Sequence, residues 1–165
     1  MIMEAKSKKK CFVKSFMPIS INVRGKKVLL VGGGKVALHK IMSLKNFNCA
    51  ITIIAREVCN EIKAMPYTYL EKDYDENDLE GYLLVYACTN DSALNQRIKA
   101  DGEKKRILVN VVDNPELCDF VSPAIYKKDN ISIAVSSNGE DVFMSIKIRN
   151  LIQKYLESDT TLLLV

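Results

Sequence analysis

No apolar run in this chain reaches membrane-spanning length. The longest, residues 27–32 and 49–55, fall far short of the roughly 18 residues a membrane helix needs, so no membrane partner is expected. No secretory leader is expected either. Lys8, Lys9 and Lys10 are followed only by Cys11, Phe12 and Val13 before Lys14 intervenes, where a leader requires a continuous apolar stretch. The expected compartment is the cytoplasm. The five cysteines contain no C-x-x-C pair and are odd in number, which argues against a disulfide framework, a structural zinc site and dithiol redox chemistry. Cys49 and Cys88 fall in or beside apolar runs and read as small buried hydrophobes. The single histidine, His39, has no partner at ligand spacing, so no metal site is expected.

Charge of one sign is scarce beyond the first residues. The net charge is +4, and residues 1–16 account for all of it with five lysines against Glu4. The neutral remainder carries no nucleic-acid footprint. Residues 1–16 are expected to be a solvated, poorly ordered basic extension. The 165 residues suffice for one domain with a single buried core.

What is present is an alternation of strands and helices. Apolar runs at 27–31, 49–55, 82–87 and 107–111 alternate with helix-like segments at 35–47, about 57–65, 75–79 and 92–103. A further strand is expected at 67–70. Such alternation means βαβ units and a parallel sheet, and continuous apolar runs fit strands covered on both faces. The predicted fold class is α/β, a Rossmann-type parallel sheet with helices on both faces. After Val112 the pattern changes to short strands at 120–126 and 131–135 around a polar turn, then an amphipathic helix over 141–157. Met144, Ile148, Leu151, Ile152 and Tyr155 share one face of it. A hairpin and helix beyond a complete sheet suggest a pairing surface for a second copy, that is, a homodimer.

The strongest local signal is Gly32-Gly33-Gly34-Lys35-Val36-Ala37 directly after the first strand. Gly32, Gly34 and Ala37 fit G-x-G-x-x-G/A, in which the first glycine permits a tight turn and the second lets backbone approach a pyrophosphate. Ala37 permits close packing of helix on strand, and the helix N-terminus offers N–H groups to the phosphates. A P-loop is excluded because Lys35 is followed by Val36 with the wrong glycine spacing. The acid expected at the end of strand two is less definite. Glu57 serves the ribose of NAD if that strand ends one residue late, whereas the adjacent Arg56 suits a 2′-phosphate; NAD is the favoured cofactor. Asp113, just past strand five, faces the ligand crevice of such sheets and can take a proton while hydride leaves for the nicotinamide. Capping of the Asn114-Pro115 turn is its structural alternative. Ser136 and Ser137 precede the last helix and either hold a substrate carboxylate or cap that helix.

Taken in order, these segments resemble the precorrin-2 dehydrogenase/sirohydrochlorin ferrochelatase family, the N-terminal module of siroheme synthases. The resemblance rests on residues 17–27, on Gly32-Gly33-Gly34-Lys35-Val36-Ala37, and on residues 87–91 with Asn95. It continues through Asn110-Val111-Val112-Asp113, Phe120-Val121-Ser122-Pro123-Ala124, and residues 133–137 with Gly139. It implies NAD-dependent oxidation of precorrin-2 to sirohydrochlorin, with Asp113 as general base and iron insertion as a possible secondary activity. It also implies that Gly32, Gly34, Lys35 and Val36 line the pyrophosphate, that Thr89 lies along the cofactor, and that basic groups rim a pocket for the carboxylate-rich macrocycle. Residues 17–113 would then be the NAD-binding domain, 114–157 the dimerisation segment and 158–165 a tail, with the family's further helical domain absent. Asn138 and the Glu140-Asp141 pair depart from the family pattern. They leave room for the alternative of a non-catalytic NAD-binding or scaffold module.

Overall fold

The computed structural model describes residues 14–112 and 114–158. Five strands, β1 (Lys27–Val31), β2 (Ala50–Ala55), β3 (Thr68–Glu71), β4 (Leu84–Ala87) and β5 (Leu108–Val111), form one sheet in the order β3-β2-β1-β4-β5. Every pairing in it is parallel. The helices α1 (Lys35–Leu44), α2 (Asn60–Lys63) and α3 (Ser92–Lys105) connect the strands. Side chains alternate across a strand, so β1 feeds two separate apolar layers. Val28 and Leu30 pack with Ala37 and Ile41 of α1 and Ile62 of α2. Leu29 and Val31 pack with Ile98 of α3 on the opposite face. The apolar runs of β1 (28–31) and β4 are unbroken because both of their faces are covered. β3, at the edge, is exposed along its length.

Two elements start three or more residues later than the sequence predicts, for identifiable reasons. The helix expected over 57–65 is reduced to α2. The Val58 N–H donates to Glu71 Oε1 at 3.0 Å and the Cys59 N–H to the Gly33 carbonyl at 2.9 Å. These bonds tie residues 58–59 to β3 and to the glycine bend, and Cys59 stays extended (φ −66°, ψ 153°) as the N-cap, so α2 starts only at Asn60. The strand expected over 120–126 begins only at Ala124. The Phe120 carbonyl is taken by Asn110 Nδ2 at 2.8 Å, and Pro123 has no N–H to give a ladder.

Beyond the sheet, β6 (Ala124–Lys128) and β7 (Ile131–Val135) form an antiparallel hairpin. The final helix, α4 (Val142–Ser158), packs against both hairpin strands. Its start is capped by Asp141, whose Oδ1 accepts from the Met144 N–H at 2.8 Å. In this single chain Ser145 is the only buried residue of α4. Met144, Ile148, Leu151 and Tyr155, on the expected apolar face, are exposed.

Residues 14–16, the end of the expected extension, are attached to the folded body. The Asn138 amide bonds both the Phe16 N–H (2.8 Å) and the Lys14 carbonyl (2.7 Å), and Lys14 Nζ reaches the Cys118 carbonyl at 2.9 Å. Residues 1–13 and 159–165, with the expected tail, lie outside the described residues. Among those described, no helix is long and apolar enough to cross a membrane.

Candidate functional site

From β1 the chain winds outward to β2 and β3, then returns to build β4 and β5 on the other side of β1. The crevice at the carboxyl ends of β1 and β4 is therefore the switch point where ligands bind in open α/β sheets. The glycine bend lies there, and its three glycines do different work. Gly32 has φ +118°, and a Cβ on it would lie 2.6 Å from the Cys88 carbonyl oxygen. Gly33 is packed against the backbone of Glu57 and Val58, where a Cβ would come within 2.8 Å of Val58 Cα. Gly34 differs: a Cβ there would meet nothing within 4 Å. It is also the N-cap of α1 and supplies no side-chain cap, so the first-turn N–H groups of α1 have no intrahelical acceptor. A bend pressed shut at two glycines and open at the third, above a helix N-terminus, fits the diphosphate of a dinucleotide.

A cavity of about 570 Å³ opens from this bend. It extends past the end of β2 to residues 72–74 and to the 89–91 loop after β4. Gly32, Gly34, Lys35, Val36, Glu57 and Thr89 all line it. Ala37 does not: it is fully buried and packs in the core beneath α1. Thr89 is fixed by Asn95, whose Oδ1 accepts from the Thr89 hydroxyl at 2.7 Å while its Nδ2 donates to the Thr89 carbonyl at 2.9 Å. Asn95 is buried, so α3 sets the position of the loop.

At the far end of this cavity Arg56 Nε donates to Asp73 Oδ1. The Asp73 carboxylate, through that bond and then through its charge, raises the Arg56 pKa. Glu71, at the end of β3, is committed elsewhere: Lys63 bonds it at 2.8 Å and the Val58 N–H donates to it. The Lys63 bond and then the Val58 bond hold the Glu71 carboxyl below its ordinary pKa.

A second cavity, of about 740 Å³, lies between α1, the end of β5, β6 and α4. Val36 lines both cavities. Lys40, Lys127 and Arg149 bring basic groups to the wall of the second. Lys40 Nζ lies 5.7 Å from the centroid of the Tyr86 ring, and Arg149 Nη1 donates to the Ile125 carbonyl at 3.1 Å. Tyr86 is buried, and burial pushes its phenol up to about 12. His39 also lines this cavity, from an exposed position on α1. Asp113 lies outside the described residues; its neighbours Val112 and Asn114 both line the cavity. The 136–139 turn reaches the cavity through Gly139, whereas Ser136 and Ser137 are not part of its wall. The Ser137 hydroxyl accepts from the Asp141 N–H at 2.9 Å.

Cys49, Cys59, Cys88 and Cys118 form no disulfide among the described residues, with Cys88 buried and Cys49 partly so. Among the described residues no group of three or more His, Cys, Asp or Glu side chains is placed to hold a metal ion.

Two features of these cavities are not singled out from the sequence. Asp73 stands 17 residues from Arg56 in no local motif. Lys40 was available from periodicity: Val36, Lys40, Ser43 and Phe47 recur at helical spacing and all line the second cavity.

Comparison with known proteins gives concordant results. A family model described as putative NAD(P)-binding matches residues 19–124. The siroheme synthase of Pseudomonas fluorescens (strain SBW25) is 33% identical over 147 residues, covering 87% of this chain and 32% of its own length. The siroheme synthase of Psychrobacter sp. (strain PRwf-1) is 39% identical over 127 residues, 74% of this chain and 26% of its own length. The chain thus spans about a third or less of the curated relatives it matches. Among solved structures, SirC, precorrin-2 dehydrogenase, superposes with a TM-score of 0.72 at 26% identity, covering 85% of this chain and 71% of that one.

Proposed function

The chain belongs to the NAD(P)-binding family shared with the siroheme synthases and with SirC, and from that premise we propose that it oxidises precorrin-2 to sirohydrochlorin with NAD⁺. The observation that carries this reading is the meeting of two cavities at Val36, one on the glycine bend and one walled by basic groups. The first suits a dinucleotide. The second suits a large macrocycle bearing many carboxylates.

The substrate must lose one hydride and one proton. The nicotinamide, when bound, supplies the hydride acceptor. Everything else falls to the chain. Gly32, Gly34, Lys35 and Val36 bind the diphosphate, Thr89 lies along the cofactor, and Glu57 accepts from the ribose hydroxyls. Ala37 contributes by packing α1 against β1. Lys40, Lys127 and Arg149 receive carboxylates of the macrocycle through charge-assisted hydrogen bonds, with Ser136 and the 136–139 turn at the margin. Asp113 takes the proton. A second copy covers the exposed apolar residues of α4, among them Phe143 at 87% exposure and Tyr155 at 63%. The cytoplasm, which holds NAD⁺, is where we place the reaction.

The test is Asp113→Asn. Turnover should fall by roughly 10²–10⁴ while the NAD⁺ dissociation constant stays at the wild-type value. Full turnover in this variant would remove Asp113 from the mechanism.

A further inference from the structure

We propose that Asp73 sets the dinucleotide preference of the glycine-bend pocket by holding Arg56 and denying it to a 2′-phosphate. The inference rests on the reading that this pocket takes a dinucleotide, and goes beyond it by naming the residue that selects which one.

The register of the sheet creates the arrangement. β2 and β3 run parallel with Ala55 opposite Glu71, so Arg56 and Asp73 leave their strands side by side. Both line the pocket. In dinucleotide folds the end of the second strand lies beside the adenosine ribose, where an acid takes the 2′-hydroxyl or an arginine takes a 2′-phosphate. Here the arginine is present but bonded to a carboxylate. The other cations of the pocket wall do not replace it. Lys72 is paired with Asp78 at 2.5 Å, and Lys35 sits at the start of α1, beside the bend. Glu71 is held by Lys63 and by the Val58 N–H.

A 2′-phosphate entering this corner would have to displace Asp73 from Arg56. It would then lie beside the Asp73 carboxylate, with Glu57 and Asp91 also on the pocket wall, against one guanidinium. A 2′-hydroxyl meets no such penalty, because it can donate to a carboxylate. The corner therefore discriminates by repulsion as well as by attraction. Arg56 and Asp73 are exposed, with side-chain exposures of 83% and 75%, so their pair contributes little to folding. The thermal midpoint should move by no more than about 2 °C when the pair is broken.

The experiment is calorimetric titration of NAD⁺ and NADP⁺ into the wild-type chain, Asp73→Asn and the double variant Asp73→Asn/Arg56→Gln. The wild type should prefer NAD⁺. Asp73→Asn should bind NADP⁺ roughly tenfold more tightly than the wild type does, a like-charge repulsion removed and a guanidinium released. The double variant, which keeps only the relief of repulsion, should lose most of that gain. Unchanged NADP⁺ affinity in Asp73→Asn, or a gain that survives in full the loss of Arg56, overturns the proposal while leaving the dinucleotide pocket standing. A wild-type chain that binds neither nucleotide overturns both.

Discussion

Gly34→Ala adds one methyl group where α1 begins. Gly34 has φ −95° and ψ −164°, an extended backbone that alanine adopts without strain, and the new Cβ would meet nothing within 4 Å. Alanine is a poorer N-cap than glycine by up to about 1 kcal/mol, and the loss of unfolded-state freedom returns roughly 0.4–1 kcal/mol. The net change in stability should lie within about 0.5 kcal/mol. Gly33→Ala is the control. Its Cβ would fall 2.8 Å from Val58 Cα and still closer to the Glu57 carbonyl. Those atoms are backbone and cannot turn aside, so the cost should be about 1–3 kcal/mol. Gly32→Ala combines a contact at 2.6 Å with φ +118° and should cost about 3 kcal/mol or more. Binding should rank differently. At Gly34 the methyl group enters the space assigned to the diphosphate, and NAD⁺ affinity should drop at least about tenfold, some 1.4 kcal/mol. Urea unfolding and calorimetric NAD⁺ titration on each variant read the two effects separately. If Gly34→Ala binds NAD⁺ as the wild type does, the diphosphate does not rest on this bend. If it unfolds as readily as Gly33→Ala, the open space at Gly34 has been misjudged.

Two further outcomes follow from groups that support the cavities. The Tyr86 phenol, pushed up to about 12 by burial, keeps its proton when folded at a pH where the unfolded phenol, near 10, has lost it. Its contribution is complete below pH 10 and declines as pH rises from about 10 to 12, by on the order of 2–3 kcal/mol; urea melts of Tyr86→Phe should be flatter over that window, and an equal slope would refute the assignment. Lys99, 7% exposed, reaches Asp119 at 2.6 Å and Glu103 at 2.9 Å, while Asp119 also accepts from the Val109 N–H at 2.9 Å. Asp119→Ala should therefore cost about 2–4 kcal/mol by chemical denaturation, and a change below about 0.5 kcal/mol would contradict this reading.

The parallel sheet was legible because its central strands are covered on both faces and so carry unbroken apolar runs. Residues 28–31 and 84–87 show this in burial as well as in composition. Gly32 and Gly34 were legible because a close turn and a helix start each demand glycine. Element ends were harder to read where tertiary contacts decide them. Local pattern does not reveal that Glu71 and the Gly33 carbonyl will bind the N–H groups of Val58 and Cys59 and hold Cys59 extended ahead of α2. Asn110 likewise takes the Phe120 carbonyl from a strand ten residues back. The Arg56–Asp73 pair depends on register between separate strands. Aligning the carboxyl ends of the predicted second and third strands, 55 and 70, would have set Arg56 beside Glu71 rather than Asp73, whereas the observed register has Ala55 facing Glu71.

In the proposed mechanism hydride and proton leave one substrate across the boundary at Val36, where the glycine-bend cavity meets the basic one. Its most direct test is an anaerobic reaction of the purified chain with precorrin-2 and NAD⁺, following NADH and sirohydrochlorin together by absorbance. The two products should rise at the same rate and in equal amounts. Tight binding of NAD⁺ with no NADH formed in the presence of precorrin-2 would contradict it.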